Sequence, residues 1–122
     1  MEEVTIKRMT PDDIDGVIKI EESAYGDHHW SRTSFLNEIS NELAKYYTLH
    51  TQDGVLAAYA GCWHILEEAH ITTIAVAPEY RRKNFGQALL KRIIDDCYLE
   101  KIKYITTMVI DFLCANYYNL ST

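Results

Sequence analysis

Hydrophobic and polar positions along the chain change period several times, and each change predicts an element. Val4, Ile6 and Arg8 alternate with Thr5, Lys7 and Met9, a period of two that predicts a short strand. In "TPDDIDGVIKIEESAY" the period lengthens: Ile14, Val17 and Ile18 form a stripe, Thr10 is a capping residue, Pro11 suits the first helical position and Asp13 sits at the positive end of the dipole. A second helix is predicted over "RTSFLNEIS", capped by Ser31, with Phe35, Leu36 and Ile39 on one face.

"KYYTLHTQDGVLAAYAGCWHIL" predicts an antiparallel hairpin, two apolar-aromatic runs joined around Asp53-Gly54. "AHITTIAVA" is β-branched, ends at Pro78 and reads as a central strand. A helix is predicted over "GQALLKRIIDDCYL", with Leu89, Ile93 and Cys97 on its buried face and Leu90 and Ile94 widening it. "KYITTMVI" follows as a further buried strand. Alternating strands and helices imply an α/β layer architecture.

Composition narrows the class. A chain of 122 residues, 48% hydrophobic and 25% charged, has room for one domain and one core, and disorder is excluded on this composition. The start "MEEVTIKRM" lacks the apolar core of a signal peptide, and no run of 18 apolar residues occurs, so a cytosolic, membrane-free protein is expected. Cys62, Cys97 and Cys114 are odd in number and widely spaced among apolar neighbours, which predicts reduced core thiols. A formal charge of -6 opposes direct nucleic-acid binding and mildly favours a basic partner.

Against that acidity stand Arg81, Arg82 and Lys83, in a short loop between a predicted strand and a predicted helix. The first N–H groups of a helix lack intrahelical acceptors and carry the positive end of its dipole, so this is where an anion binds. Gly86 permits close backbone approach and Asn84 tolerates positive φ. On residues alone, an anion site and a solvated turn stay equally open.

Arg81, Arg82, Lys83, Asn84, Phe85 and Gly86 resemble the acetyl-CoA signature Gln/Arg-x-x-Gly-x-Gly/Ala of the GCN5-related N-acetyltransferase superfamily, with Asn84 where an inner glycine is usual. Three ordered blocks, "MTPDDIDGVIKIEESAY", "HHWSRTSFLNEI" and "EEAHITTIAVAPEYRRKNFGQALL", are similar to its bacterial ribosomal-protein-alanine branch, and the likeness runs over about residues 4 to 107. The resemblance implies an acyl-CoA N-acyltransferase fold, a mixed, mostly antiparallel sheet flanked by helices. It implies acetyl-CoA as cofactor and, as acceptor, a peptide N-terminus, that of a small-subunit ribosomal protein in this branch.

By that likeness the backbone at Ile74, Ala75 and Val76 pairs with the pantetheine arm, and Arg82 to Gln87, with Arg81 adding charge, cradle the pyrophosphate. Trp30 and Tyr25, with His28 and His29, fall in the connection that lines the acceptor groove; Trp30 packing beside the Ser31 cap is the structural alternative. Glu21, Glu22 and Asp27 are suited to attract a cationic N-terminus, but acids on a helix usually face solvent, and that is the expectation.

Acetyl transfer to an amine needs a base, an oxyanion donor and an acid. In the branch it resembles, the base is a glutamate in the strand after the cofactor helix and the acid a later tyrosine. Here Met108 occupies the glutamate position, and "IDFLCANYYNLST" does not resemble the blocks expected after it. Tyr117 and Tyr118 are nearby phenols, and no acid role is carried over to either. The single domain over 1–122 is therefore expected to be C-terminally incomplete, lacking the final strands, with a sheet edge open to homodimerisation. The alternative to an active enzyme is a catalytically impaired CoA-binding remnant or regulatory module. His70 is the replacement base candidate, on the strand where histone-type members carry a glutamate, with Glu68 two residues away on the same face; the structural alternative is a strand histidine with no catalytic role, the commoner case.

Overall fold

The structure, a computed structural model, describes residues 3–107. Met108, Cys114, Tyr117 and Tyr118 lie outside the described residues, as do the last three residues, 108–110, of the predicted "KYITTMVI" strand.

Among the described residues, five strands form one sheet in sequence order: β1 (Val4–Arg8), β2 (Ala44–Thr51), β3 (Leu56–Ile65), β4 (Glu68–Val76) and β5 (Tyr104–Thr107). The first three pairings are antiparallel and β4–β5 is parallel, joined by the crossover helix α3 (Phe85–Leu99). Helices α1 (Ile14–Tyr25) and α2 (Arg32–Ile39) cover the other face. The result is three layers with the sheet in the middle.

Period-two side-chain alternation feeds both cores from one strand. Of the adjacent tyrosines on β2, Tyr47 packs with Leu49, Ile71, Leu89 and Ile93 under α3, while Tyr46 packs with Ile14, Val17, Phe35 and Tyr59 under α1 and α2. Tyr47 enters a charged setting: its hydroxyl donates to Asp96 Oδ2 at 2.6 Å, and the Arg8 and Arg92 guanidinium groups lie over its ring at 5.7 and 5.4 Å. Cys62 and Cys97 are buried free thiols, and burial pushes Cys62 up to about 12.

The helix starts follow their capping chemistry. Ser31 Oγ accepts from the Ser34 N–H at 3.1 Å. Asp13 Oδ2 accepts from the Thr10 N–H at 2.9 Å and from Lys7 Nζ at 2.7 Å, tying the α1 entrance to β1. The Pro11–Asp13 turn is 3-10, and α-helical bonding begins at Ile14 rather than directly after Thr10.

Three expectations are corrected. On α1 the buried residues are Ile14, Val17, Ile20 and Glu21, with Ile18 only half-buried; Glu21, expected to face solvent, is 5% exposed, because it lies seven residues after Ile14 on the covered side of the helix. Ile94 is 46% exposed, beyond the width of α3 that the sheet covers. The described part of β5 is not buried: Tyr104 and Ile105 are exposed on the last strand of the sheet among the described residues.

Candidate functional site

Two features meet around the middle and C-terminal half of β4. The first is the strand-to-helix loop. β4 ends at Val76, Pro78–Tyr80 makes one 3-10 turn, and Arg81 returns to extended backbone. Arg82 (φ 66°) and Asn84 (φ 65°) are both left-handed. Asn84 tolerates that region better than most residues; for Arg82 it is unfavourable and must be held by the surrounding loop. The first intrahelical bond of α3 runs from the Ala88 N–H to the Asn84 carbonyl at 3.0 Å, so the N–H groups of Phe85, Gly86 and Gln87 have no acceptor within the helix.

The three cations of this loop do different things. Arg81 Nε donates to the Val76 carbonyl at 3.3 Å and finishes the strand. Arg82 is exposed. Lys83 Nζ lies 5.9 Å from the Tyr80 ring centroid, and that ring stacks on Phe85 at 6.1 Å. Of the sequence-predicted loop residues, Phe85 and Gly86 are buried while Asn84 and Gln87 are exposed.

On β4, Ile74 and Val76 point into the α3 core and Ala75 into the α1–α2 core, so what they offer a ligand is backbone. One edge of these residues is paired to β3. Among the described residues β5 pairs only with Glu68–Ile71, leaving the opposite edge of Thr72–Val76 without a strand partner. That edge leads directly into the amide-rich loop.

The second feature is a cavity of about 210 Å³ on the α1–α2 side of the sheet. Aromatic rings dominate it: Tyr25, Trp30, Phe35, Tyr46 and Tyr59. Thr72, Thr73 and Glu21 supply the polar groups. The two threonines arrive together because β4 is bulged: Gly61 pairs with Thr73 but Cys62 with Ile71, so Thr72 is an extra residue, and its hydroxyl donates to the Gly61 carbonyl at 3.2 Å. Gly61 itself is required by close approach, since a Cβ there would lie 2.4 Å from the Tyr46 ring.

Glu21 is the one carboxylate in the lining, and its Oε2 has no hydrogen-bond partner. Burial pushes its carboxyl up to about 7, against the opposing pull of the Trp30 N–H and the His29 ring. Burial likewise raises the phenols of Tyr25 and Tyr46, so both stay protonated donors at neutral pH.

Tyr25 and Trp30, predicted from sequence as acceptor-groove residues, both line this cavity, and Trp30 also packs on Phe35 at 5.4 Å, in keeping with its structural alternative. His70 and Glu68 do not line it. His70 Nδ1 lies 2.7 Å from Thr106 Oγ1, its Nε2 lies 3.8 Å from Glu68 Oε2, and the trio sits on β4 and β5 before the bulge. Glu21 is the site residue that sequence reasoning assigns to solvent. The signal for it is its spacing from Ile14 and Val17, which puts an acid on the apolar stripe.

A mixed five-stranded sheet, a bulged fourth strand and an amide-rich loop opening the crossover helix define the acyltransferase class that the sequence resembles. Residues 14–117 match the model of the acetyltransferase (GNAT) family, and the chain belongs to that family. A Bacillus subtilis protein provisionally named a ribosomal protein bS18-alanine N-acetyltransferase is 35% identical over 92 residues, 75% of this chain and 60% of that protein. The Escherichia coli ribosomal protein bS18-alanine N-acetyltransferase is 34% identical over 92% of this chain and 72% of its own length. The crystal structure of that E. coli enzyme superposes with a TM-score of 0.79, covering 97% of this chain and 76% of the other. An N-acetyltransferase from Thermoplasma acidophilum in complex with coenzyme A, 19% identical, shares the fold with a TM-score of 0.71 over 82% of this chain and 75% of its own. No helix among the described residues is long and apolar enough to cross a membrane.

Proposed function

We propose that this chain is an acetyl-CoA-dependent N-acetyltransferase domain whose acceptor is the N-terminal amine of a protein, an alanine-leading ribosomal protein by likeness to its relatives. The observation that carries the reading is adjacency: a β4 edge with no strand partner over Thr72–Val76 among the described residues runs from the Glu21 cavity to three amides at the start of α3 that lack intrahelical acceptors.

The residues fit the cofactor. A diphosphate takes hydrogen bonds from Phe85, Gly86 and Gln87, in a loop that Arg82 and Lys83 make electropositive. An extended amide-bearing arm suits the backbone of Thr72–Val76, as an added strand would. Acetyl-CoA supplies the activated acetyl thioester and nothing further is required of it. In this reading the chain's own residues hold that group near the bulge, and the cavity with its five aromatic side chains receives the amine. At the bulge the Thr72 and Thr73 side chains add polar groups to the cavity lining.

His70 remains a base candidate only through a water, since it stands outside the cavity and lies beside Thr106 and Glu68. The test is calorimetric titration with coenzyme A, then mass spectrometry of an alanine-leading peptide incubated with acetyl-CoA. Saturable binding that weakens with salt, and a peptide gaining one acetyl group, are the expected results. Absence of heat with coenzyme A overturns the reading; binding without turnover reduces the chain to a CoA-binding module.

A further inference from the structure

Glu21 presents an energetic problem that the fold alone does not solve. It is 5% exposed, no cation lies within ion-pair distance among the described residues, and Oε2 has no hydrogen-bond partner. A buried carboxylate left this way is costly, and a hydrophobic residue at this stripe position would pack without that cost. The surroundings narrow what relieves it. A cavity of about 210 Å³ is smaller than the roughly 300–1,000 Å³ of sites that enclose whole ligands, so it takes the end of a chain. Five aromatic side chains line it, and the carboxylate of Glu21 among them favours a cation over an anion.

We infer that Glu21 is the anchor for the amino group of the acceptor, its Oε2 receiving a primary ammonium while the aromatic walls take the small apolar side chain on the adjoining carbon. That the bound amine is the one acetylated rests on the function proposed above. The anchor itself rests on the cavity. Tyr59 and Phe35, both lining the cavity and fully buried, pack edge to face at 6.0 Å, and the cavity's small volume suits a small side chain. The Thr73 hydroxyl lies 3.5 Å from that of Tyr25 and 3.4 Å from that of Tyr59, and supplies a polar neighbour for the first peptide group. A chain whose N-terminal amine is already acylated offers no cation and leaves Glu21 unpaired.

The titratable groups facing Glu21 are Tyr25 on its own helix, His29 in the α1–α2 connection and Tyr46 and Tyr59 from the sheet, with Glu38 of α2 acting on Tyr46. Among these side-chain types, only a carboxyl raised in this way and an imidazole change charge between pH 6 and 8. Ammonium binding requires the ionised carboxylate, so affinity rises with pH through about 7 and falls again as the ligand's own α-amine deprotonates near pH 8.

The experiment uses L-alaninamide as the probe and N-acetyl-L-alaninamide as its uncharged counterpart. Binding to the whole chain is followed by calorimetry and tryptophan fluorescence, with and without saturating coenzyme A. Wild type is expected to bind alaninamide best near pH 7.5, and E21Q about tenfold or more weaker at that pH, because glutamine keeps the shape and loses the charge-assisted contact. E21Q is also expected to lose the rise through pH 7; a rise that persists belongs to another group and overturns the assignment. Equal affinity of wild type and E21Q, equal affinity for the acetylated probe, or no alaninamide binding in either condition overturns it as well. Should E21Q fail to fold, the pH profile of wild type with the two probes decides alone. Glu21-dependent alaninamide binding in a chain that gives no heat with coenzyme A would remove the transferase reading while supporting the amine anchor.

Discussion

Replacing Glu21 with glutamine removes a charge that opposes folding, and the size of that opposition follows from burial. The carboxyl titrates near 7 in the folded chain against an ordinary 4.5. Between those values the unfolded chain has released its proton while the folded chain keeps it, so stability falls as pH rises from about 4.5 and levels off above about 7. At roughly 1.36 kcal/mol per pH unit, the full penalty is about 3 kcal/mol, most of which accrues between pH 5 and pH 8. The substituted glutamine would still bury an amide with few partners, costing about 1–2 kcal/mol at any pH.

The expected result is therefore a pH-dependent difference rather than a fixed one. At pH 5 E21Q is equal to or less stable than wild type, and at pH 8 it is more stable by about 1–2 kcal/mol. Urea unfolding at the two pH values measures this, and every other titrating group cancels in the comparison. A difference between the two proteins that is the same at pH 5 and pH 8 would refute the reasoning, because it would mean that Glu21 ionises as it does in water. An acid whose removal stabilises the fold is kept for something other than the fold.

Three more outcomes are expected. Gly61→Ala drives a methyl into the Tyr46 ring, which is only 2% exposed, and should lower stability by about 1–3 kcal/mol, read as a lower urea midpoint; an unchanged midpoint would show that the ring moves freely. Asp13→Ala removes the acceptor for Thr10 N–H and Lys7 Nζ and should cost about 1–2 kcal/mol at pH 7. Burial alone would raise the Asp13 carboxyl, but those partners outweigh it and hold it below its ordinary 3.8, so the gap between D13A and wild type should close as pH falls below about 4 and not as pH rises. Asn84→Gly should keep both the fold and coenzyme A binding, whereas Asn84→Val at φ 65° should cost about 1–2 kcal/mol and weaken coenzyme A, a contrast visible in thermal melts and calorimetry.

Much of this protein was legible in order and pattern. The Ser31 cap, the Asp53-Gly54 hairpin, the β-branched run 69–77 and the helix that follows Asn84 are local statements, because backbone propensity and capping act within a few residues. The cation-rich loop was legible for the same reason: a strand end, a left-handed residue and a helix start are neighbours in the chain. The likeness of three blocks to a known family then supplied a mixed, mostly antiparallel sheet flanked by helices, which no local rule provides.

What the sequence determined by itself, then, was the succession of elements and the chemistry of each junction, since those depend on residues adjacent in the chain. The tertiary structure alone decided which acid is buried, where the extra Thr72 falls against Gly61, and that His70 sits with Thr106 outside the cavity while Tyr25 and Trp30 line it. Burial and register are properties of surfaces brought together from distant segments. An acid on a helix stripe looks solvent-facing until the sheet that covers it is in place.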